Sequence, residues 1–172
     1  MTPMRLRLST ATLTLKNGFL GFDIPNKTAT YWDERYTNNL FSTARLTLVA
    51  DAVAQSLSPA LAPKTANQVI AVRDATISLA DILKALETAT GSPWTRNLVD
   101  LDDLVEQGKA KIKKGDFSGV PYMIVRCALD AETEGNFDER GIVANELLGV
   151  ETWGLQKVVD AVVAEVNAEL KG

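Results

Sequence analysis

The sequence predicts an α/β protein, and three observations carry that reading. Apolar residues switch between a period near two and a period near 3.6 along the chain. The run Val69-Ile70-Ala71-Val72 is continuously apolar and β-branched, as in a strand covered on both faces of a parallel sheet. Ser78-Leu79-Ala80-Asp81 has the spacing of a capping box that opens an amphipathic helix. About four short strands and five helices follow from these patterns.

In order, Arg5 to Lys16 alternates loosely through Leu6, Leu8, Ala11, Leu13 and Leu15, and predicts a strand ending at the Asn17-Gly18 turn. Arg5, Arg7 and Lys16 stand among the first 22 residues without an acid, as in a transit peptide, but the alternation favours the strand. Lys27 to Trp32, rich in Thr and aromatics, predicts the next strand. From Thr43 the stripe Leu46, Val49, Ala50, Val53 and Leu57 predicts a helix, with Ser42 or Thr43 as its cap and Ser58-Pro59 as its stop. The Val69 run is expected to be a central strand. The capping box then opens the stripe Leu79, Ile82, Leu83 and Leu86, which Gly91 and Pro93 close. Trp94 to Val99 predicts a strand. Asp100, Asp102 and Asp103 at the start of the following helix, and Lys109, Lys111, Lys113 and Lys114 at its end, match the helix dipole. Two more helices are expected, over Val120 to Leu129 with Pro121 in the first turn, and over Thr152 to Leu170 on the stripe Leu155, Val159, Val163, Val166, Leu170.

With 172 residues, the chain reads as a single domain over 1–172. An apolar fraction of 46% with 23% charged residues matches soluble proteins, and no stretch approaches the roughly 20 apolar residues that span a bilayer. A net charge of −4, with the acids interspersed among cations, argues against binding nucleic acid. The chain has no histidine, which excludes Ser-His-Asp and Cys-His nucleophilic systems and nearly all zinc sites. The single cysteine, Cys127, forms no internal disulfide, and the expected compartment is the cytoplasm.

The motifs weigh mostly toward structural roles. None of the eleven glycines forms the G-x-G-x-x-G turn or the P-loop that would bring backbone amides to a pyrophosphate. Gly18-x-x-Gly21 leads into an apolar run and a strand, so it reads as turn chemistry. Tyr122-x-x-x-Arg126 resembles a Tyr-x-x-x-Lys pair, but arginine keeps its proton at neutral pH, which favours a packed tyrosine with a solvated arginine. Cys127 has no histidine to activate it and reads as a small core residue. Asp100-x-Asp102-Asp103 fits first-turn capping better than a cation site, and the lysine cluster fits a solvated helix end. Phe19, Phe22, Phe117 and Tyr122 have two readings, core or the lining of an apolar pocket.

Several stretches taken together resemble the NmrA-like, isoflavone-reductase-like oxidoreductases, especially their fungal branch. They are Gly18-Phe19-Leu20-Gly21-Phe22-Asp23 with Lys27-Thr28-Ala29-Thr30, and Phe41-Ser42-Thr43 leading into Ala52-Val53. Ile82 to Glu87 and Thr90 to Trp94 follow, then Gly115-Asp116-Phe117-Ser118-Gly119 and Asn145-Glu146-Leu147-Leu148-Gly149. The chain departs from the pattern at Glu34-Arg35, where a glycine pair is usual, and at Ala50, where a glycine is usual, so a looser turn is expected there. The part matched resembles the family's carboxy-terminal, substrate-side portion. This implies an incomplete Rossmann-type remnant with a helical substrate-side subdomain, and no amino-terminal NAD(P)-binding half. The family uses NADPH, but its glycine fingerprint and catalytic lysine have no counterpart here, so no catalytic residue is carried over and no cofactor is expected in this chain alone. The resemblance makes Phe19, Phe22 and Phe117 the candidate substrate contacts, toward a small apolar molecule. A missing half would leave a face that needs repacking, self-association or a partner chain, with Met1 to Thr12 as a candidate cover.

Three functional expectations follow. The first is a truncated oxidoreductase relative of fungal secondary metabolism that holds an apolar substrate but not NAD(P)H. The second is a cofactor-independent module that binds a small molecule or steers its rearrangement, and the third is a regulatory or structural partner subunit.

Overall fold

The computed structural model describes residues 5–7, 15–133 and 135–171, with backbone alone for residues 5–7, 31, 32 and 133. Strands and helices are mixed along the chain: β1 (Arg5–Arg7), β2 (Phe22–Asp23), β3 (Thr28–Trp32), α1 (Asp33–Thr37), β4 (Phe41–Thr43), α2 (Leu46–Ser56), α3 (Ala62–Thr65), β5 (Val69–Ala71) and β6 (Ala75–Ile77). They continue with α4 (Leu79–Thr90), β7 (Thr95–Val99), α5 (Leu101–Ile112), α6 (Val120–Leu129), α7 (Asn145–Leu148) and α8 (Leu155–Glu169). Short 3₁₀ turns at Phe117–Gly119 and Ala131–Thr133 flank α6. The five longest helices, α2, α4, α5, α6 and α8, are those the periodicity predicts. The α/β expectation holds.

The strands form three small sheets among the described residues. β1 runs parallel to β5 in a two-stranded sheet, and β5 also bridges Val143; Ile70, Ala71 and Val72 of the expected central run are buried, but Val69 is exposed. β3 pairs with β2 antiparallel and with β7 in parallel from Thr28–Thr95 to Trp32–Val99. β4 pairs antiparallel with β6. The main core is built where α4 lays Leu79, Ile82, Leu83 and Leu86 against Val159, Val162, Val163 and Val166 of α8. A second cluster joins Leu48, Val49 and Ala52 of α2 to Ile70, Val72 and Leu148.

Four expectations are corrected. Lys16 does not end a strand: Leu15 and Lys16 are helical, and residues 8–14 of that reading lie outside the described residues. Ser42 and Thr43 do not cap α2. Ser42 Oγ lies 2.9 Å from Thr76 Oγ1 and accepts the Phe137 amide, Thr43 Oγ1 donates to Ala75 O, and the N-cap is Arg45 with no side-chain cap. The buried face of α2 is Leu48, Val49, Ala52 and Ser56, while Leu46 and Leu57 are exposed, because a helix apolar on most sides leaves the choice of face to its neighbours. The turn at Glu34-Arg35 is tied rather than loose, since Asp33 adopts a φ of 41° and its carboxylate receives the Arg35 amide at 2.8 Å and the Arg35 side chain.

Candidate functional site

Between β5 and β6 the chain turns at Arg73-Asp74 and buries the Asp74 carboxylate. A buried carboxylate needs donors on every side, and Asp74 has them. Oδ2 accepts the Arg45 amide at 2.7 Å, Arg45 Nε donates to both oxygens at 3.0 Å, and Oδ1 accepts the Trp153 amide at 2.7 Å. One side chain therefore fixes the entry to α2 and the entry to α8. The Arg45 guanidinium also donates to Glu151 O at 2.8 Å and lies 4.0 Å over the Trp153 ring. Lys157 Nζ sits 4.2 Å from the same ring centre, so two cations lie against the indole.

This ion pair separates two apolar spaces. The inner one, about 20 Å³, is walled by Leu15, Leu20, Ile77, Ile82 and Val159, with Asp74 and Thr43 as its polar groups. The outer one, about 200 Å³, opens between Arg45, Leu46, Thr47, Trp153, Val158 and Ala161. Val158 lines both. The inner space has room for about one water, whereas the outer cleft has the volume of a small molecule. No sequence motif announced Asp74 or Arg45. Asp74 stands in the Arg73-Asp74 turn, which reads as loop composition, and Arg45 precedes α2 without a local signal.

The sequence candidates are dispersed. Phe22 lies in the main core, edge-on to Trp94 with ring centres 6.3 Å apart at 70°. Phe19 is partly buried against the same core, and Phe117 is 69% exposed at the turn before α6. None of the three lines either space above. Tyr122 packs against the core as the structural reading expected, but Arg126 is not simply solvated. Its Nε donates to Asp102 at 3.0 Å, it pairs with Asp130, and it lies 4.8 Å over the ring of Tyr36. Asp102 also accepts from Arg35 at 2.8 Å and from the Tyr36 hydroxyl at 3.2 Å, which ties α1, α5 and α6 together. The Arg126 hydrogen bond is the main cause holding the Asp102 carboxyl below its usual range, and burial pushes the Tyr36 phenol up. Cys127 is exposed on α6 rather than in the core. Gly18 and Gly21 take φ of 68° and 84°, with the Gly21 amide donating to Gly18 O, as turn chemistry requires.

The strand-to-helix turn after β7 tests the fit of a dinucleotide. A pyrophosphate there needs free amides on a glycine bend. Instead Asp100 Oδ1 accepts the amides of Asp102 and Asp103 at 2.8 and 3.3 Å, and two further acids stand in the first turn. With its amides taken and its first turn acidic, this turn does not fit a pyrophosphate. The same contacts show that Asp100 caps the helix, with Asp102 and Asp103 in its first turn.

The parallel pairs β1–β5 and β3–β7, with helices between the strands, fit an incomplete Rossmann-type α/β chain. A crystal structure of a nucleoside-diphosphate-sugar epimerase from Staphylococcus aureus superposes with a TM-score of 0.57 and 14% identity, covering 90% of this chain and 50% of that one. That likeness is one of fold. In sequence the chain is similar to Oxidoreductase aprR of Aspergillus flavus, 27% identical over 144 residues, 84% of this chain and 47% of the relative. The chain thus spans about half the length of each of these two proteins. No protein-family model matches it. Among the described residues, no helix is long and apolar enough to cross a membrane.

Proposed function

We propose that this chain is the substrate-side portion of an NmrA-like, isoflavone-reductase-like oxidoreductase of fungal secondary metabolism. In this reading it holds a small apolar molecule in the Arg45–Trp153 cleft and does not seat NADPH by itself. The carrying observation is the β7–α5 turn, whose amides are taken by Asp100. The sequence likeness to an oxidoreductase supports the chemical class. The cleft presents Trp153, Val158 and Ala161 beside one neutralised ion pair. It therefore orients and dehydrates an apolar guest, and reactive groups come from elsewhere.

Fluorescence of Trp32, Trp94 and Trp153 tests both parts. NADPH titrated to millimolar concentration is expected to give no saturable change, and micromolar saturation overturns the cofactor statement. The apolar probe 2-naphthol is expected to quench saturably. Ala161 is exposed at the cleft rim, so Ala161→Phe fills the cleft and should abolish that quenching with the circular dichroism unchanged. Equal quenching in the variant removes the cleft from the proposal.

A further inference from the structure

The two apolar spaces beside the Arg45–Asp74 pair have one wall in common. Among the described residues that line them, Val158 alone belongs to both. Elsewhere the partition is the ion pair itself, with Arg45 on the outer side and Asp74 on the inner. Four hydrogen bonds hold Asp74 in place, so that part of the partition does not yield. Val158, the fourth residue of α8, is buried at 6% exposure. A valine in a helix is nearly confined to one side-chain rotamer, so it does not swing aside to admit a longer guest.

We infer that Val158 sets the depth of the outer cleft and, with it, the class of guest: a compact, neutral molecule whose inner end is hydrocarbon. The inference rests on the cleft reading above. At about 200 Å³ the cleft lies below the roughly 300–1,000 Å³ usual for ligand pockets. It has no length to spare, and a guest that fills it ends against Val158. No acid lines the cleft, and its one cation, Arg45, is already engaged by Asp74 and by Glu151 O. A charge carried inward would therefore lose its water without gaining a partner, so polar substituents stay at the open mouth. Behind Val158 the inner space of about 20 Å³, walled by Ala75, Ile77 and Ile82, is an unused continuation of the cleft. Trimming Val158 joins the two spaces and lengthens the site.

Two phenols of the same chemistry and different length, 2-naphthol and para-phenylphenol, read the depth. Tryptophan quenching of the full chain should give the shorter 2-naphthol the lower dissociation constant. Val158→Ala should reduce the preference for 2-naphthol by about tenfold, the scale of a methylene or so in an apolar pocket, with the circular dichroism unchanged. Ala75 is a wall of the inner space, so adding Ala75→Val to Val158→Ala should refill that space and restore the wild-type preference. Val158→Ile keeps the core filled and thickens the partition, so its preference should equal or exceed that of the wild type. A preference unmoved in Val158→Ala, or lowered equally in Val158→Ile, overturns the depth limit while the cleft stands. So does a change in Val158→Ala that Ala75→Val fails to reverse. Absence of saturable quenching by either phenol in the wild type overturns the cleft reading itself, and the depth limit with it.

Discussion

At Asp74 a single carboxylate receives four hydrogen bonds from two segments that are 108 residues apart, Arg45 and Trp153. Removing one member of a buried ion pair strands the other charge, at a cost of about 3–5 kcal/mol. Asp74→Ala is therefore expected to lower urea stability by that amount. Asp74→Asn, which keeps an acceptor for the Trp153 amide, should cost less, and equal losses would mean that the charge is irrelevant. Asp102 behaves differently because its side chain is about half open to solvent. Its folded-state carboxyl lies below its ordinary range, so its stabilisation is present above the unfolded value near about 3.9 and is lost as pH falls through the lower folded value. Asp102→Asn should accordingly flatten the acid limb of stability against pH below about 4 and leave the neutral region shallow in slope. Acid titration followed by tryptophan fluorescence checks this. At this scale the sequence showed Asp100 as a cap because capping is local. It did not show Asp74 or Tyr36, whose partners are distant along the chain.

Elements were legible in proportion to how far their signals were local. The α4 capping box forms as written, with the Ser78 amide donating to Asp81 Oδ2 at 2.9 Å and the Asp81 amide to Ser78 Oγ at 3.2 Å, and Gly91 closes the helix at φ 62°. Ser78→Ala should cost about 1 kcal/mol in urea unfolding. By contrast, β4 and β6 are three residues each and owe their existence to each other, so neither had a pattern to read. The face of α2 was likewise set by Ile70, Val72 and Leu148 arriving from elsewhere. The contact of α5 with the turn before α6 was also invisible. A Cβ on Gly108 would lie 2.7 Å from Gly119 O, and a backbone neighbour cannot swing aside as a side chain can. Gly108→Ala should therefore destabilise by about 1–3 kcal/mol, despite alanine's higher helix propensity. A gain in melting temperature would show that the two segments separate at little cost.

Across the whole molecule, the α/β mixture and the five long helices followed from periodicity, while the division into three small sheets did not. Sheet order depends on crossovers, and β3 meets β7 only after more than sixty intervening residues. The two apolar clusters are likewise joined by polar clamps that periodicity does not report. Asn145 supplies one of them: its Nδ2 donates to Arg73 O at 2.8 Å and its Oδ1 accepts the Arg73 amide at 3.1 Å, so a side-chain amide continues the pairing that Ala71 makes with Ile142 and Ala144. If this clamp seats the second cluster on the rest, Asn145→Ala should open that region locally. Hydrogen exchange should quicken at residues 69–73 and 142–150, while the α4 and α8 amides, held by the main core, keep their protection. Uniform acceleration in every element would instead make the two clusters one cooperative unit.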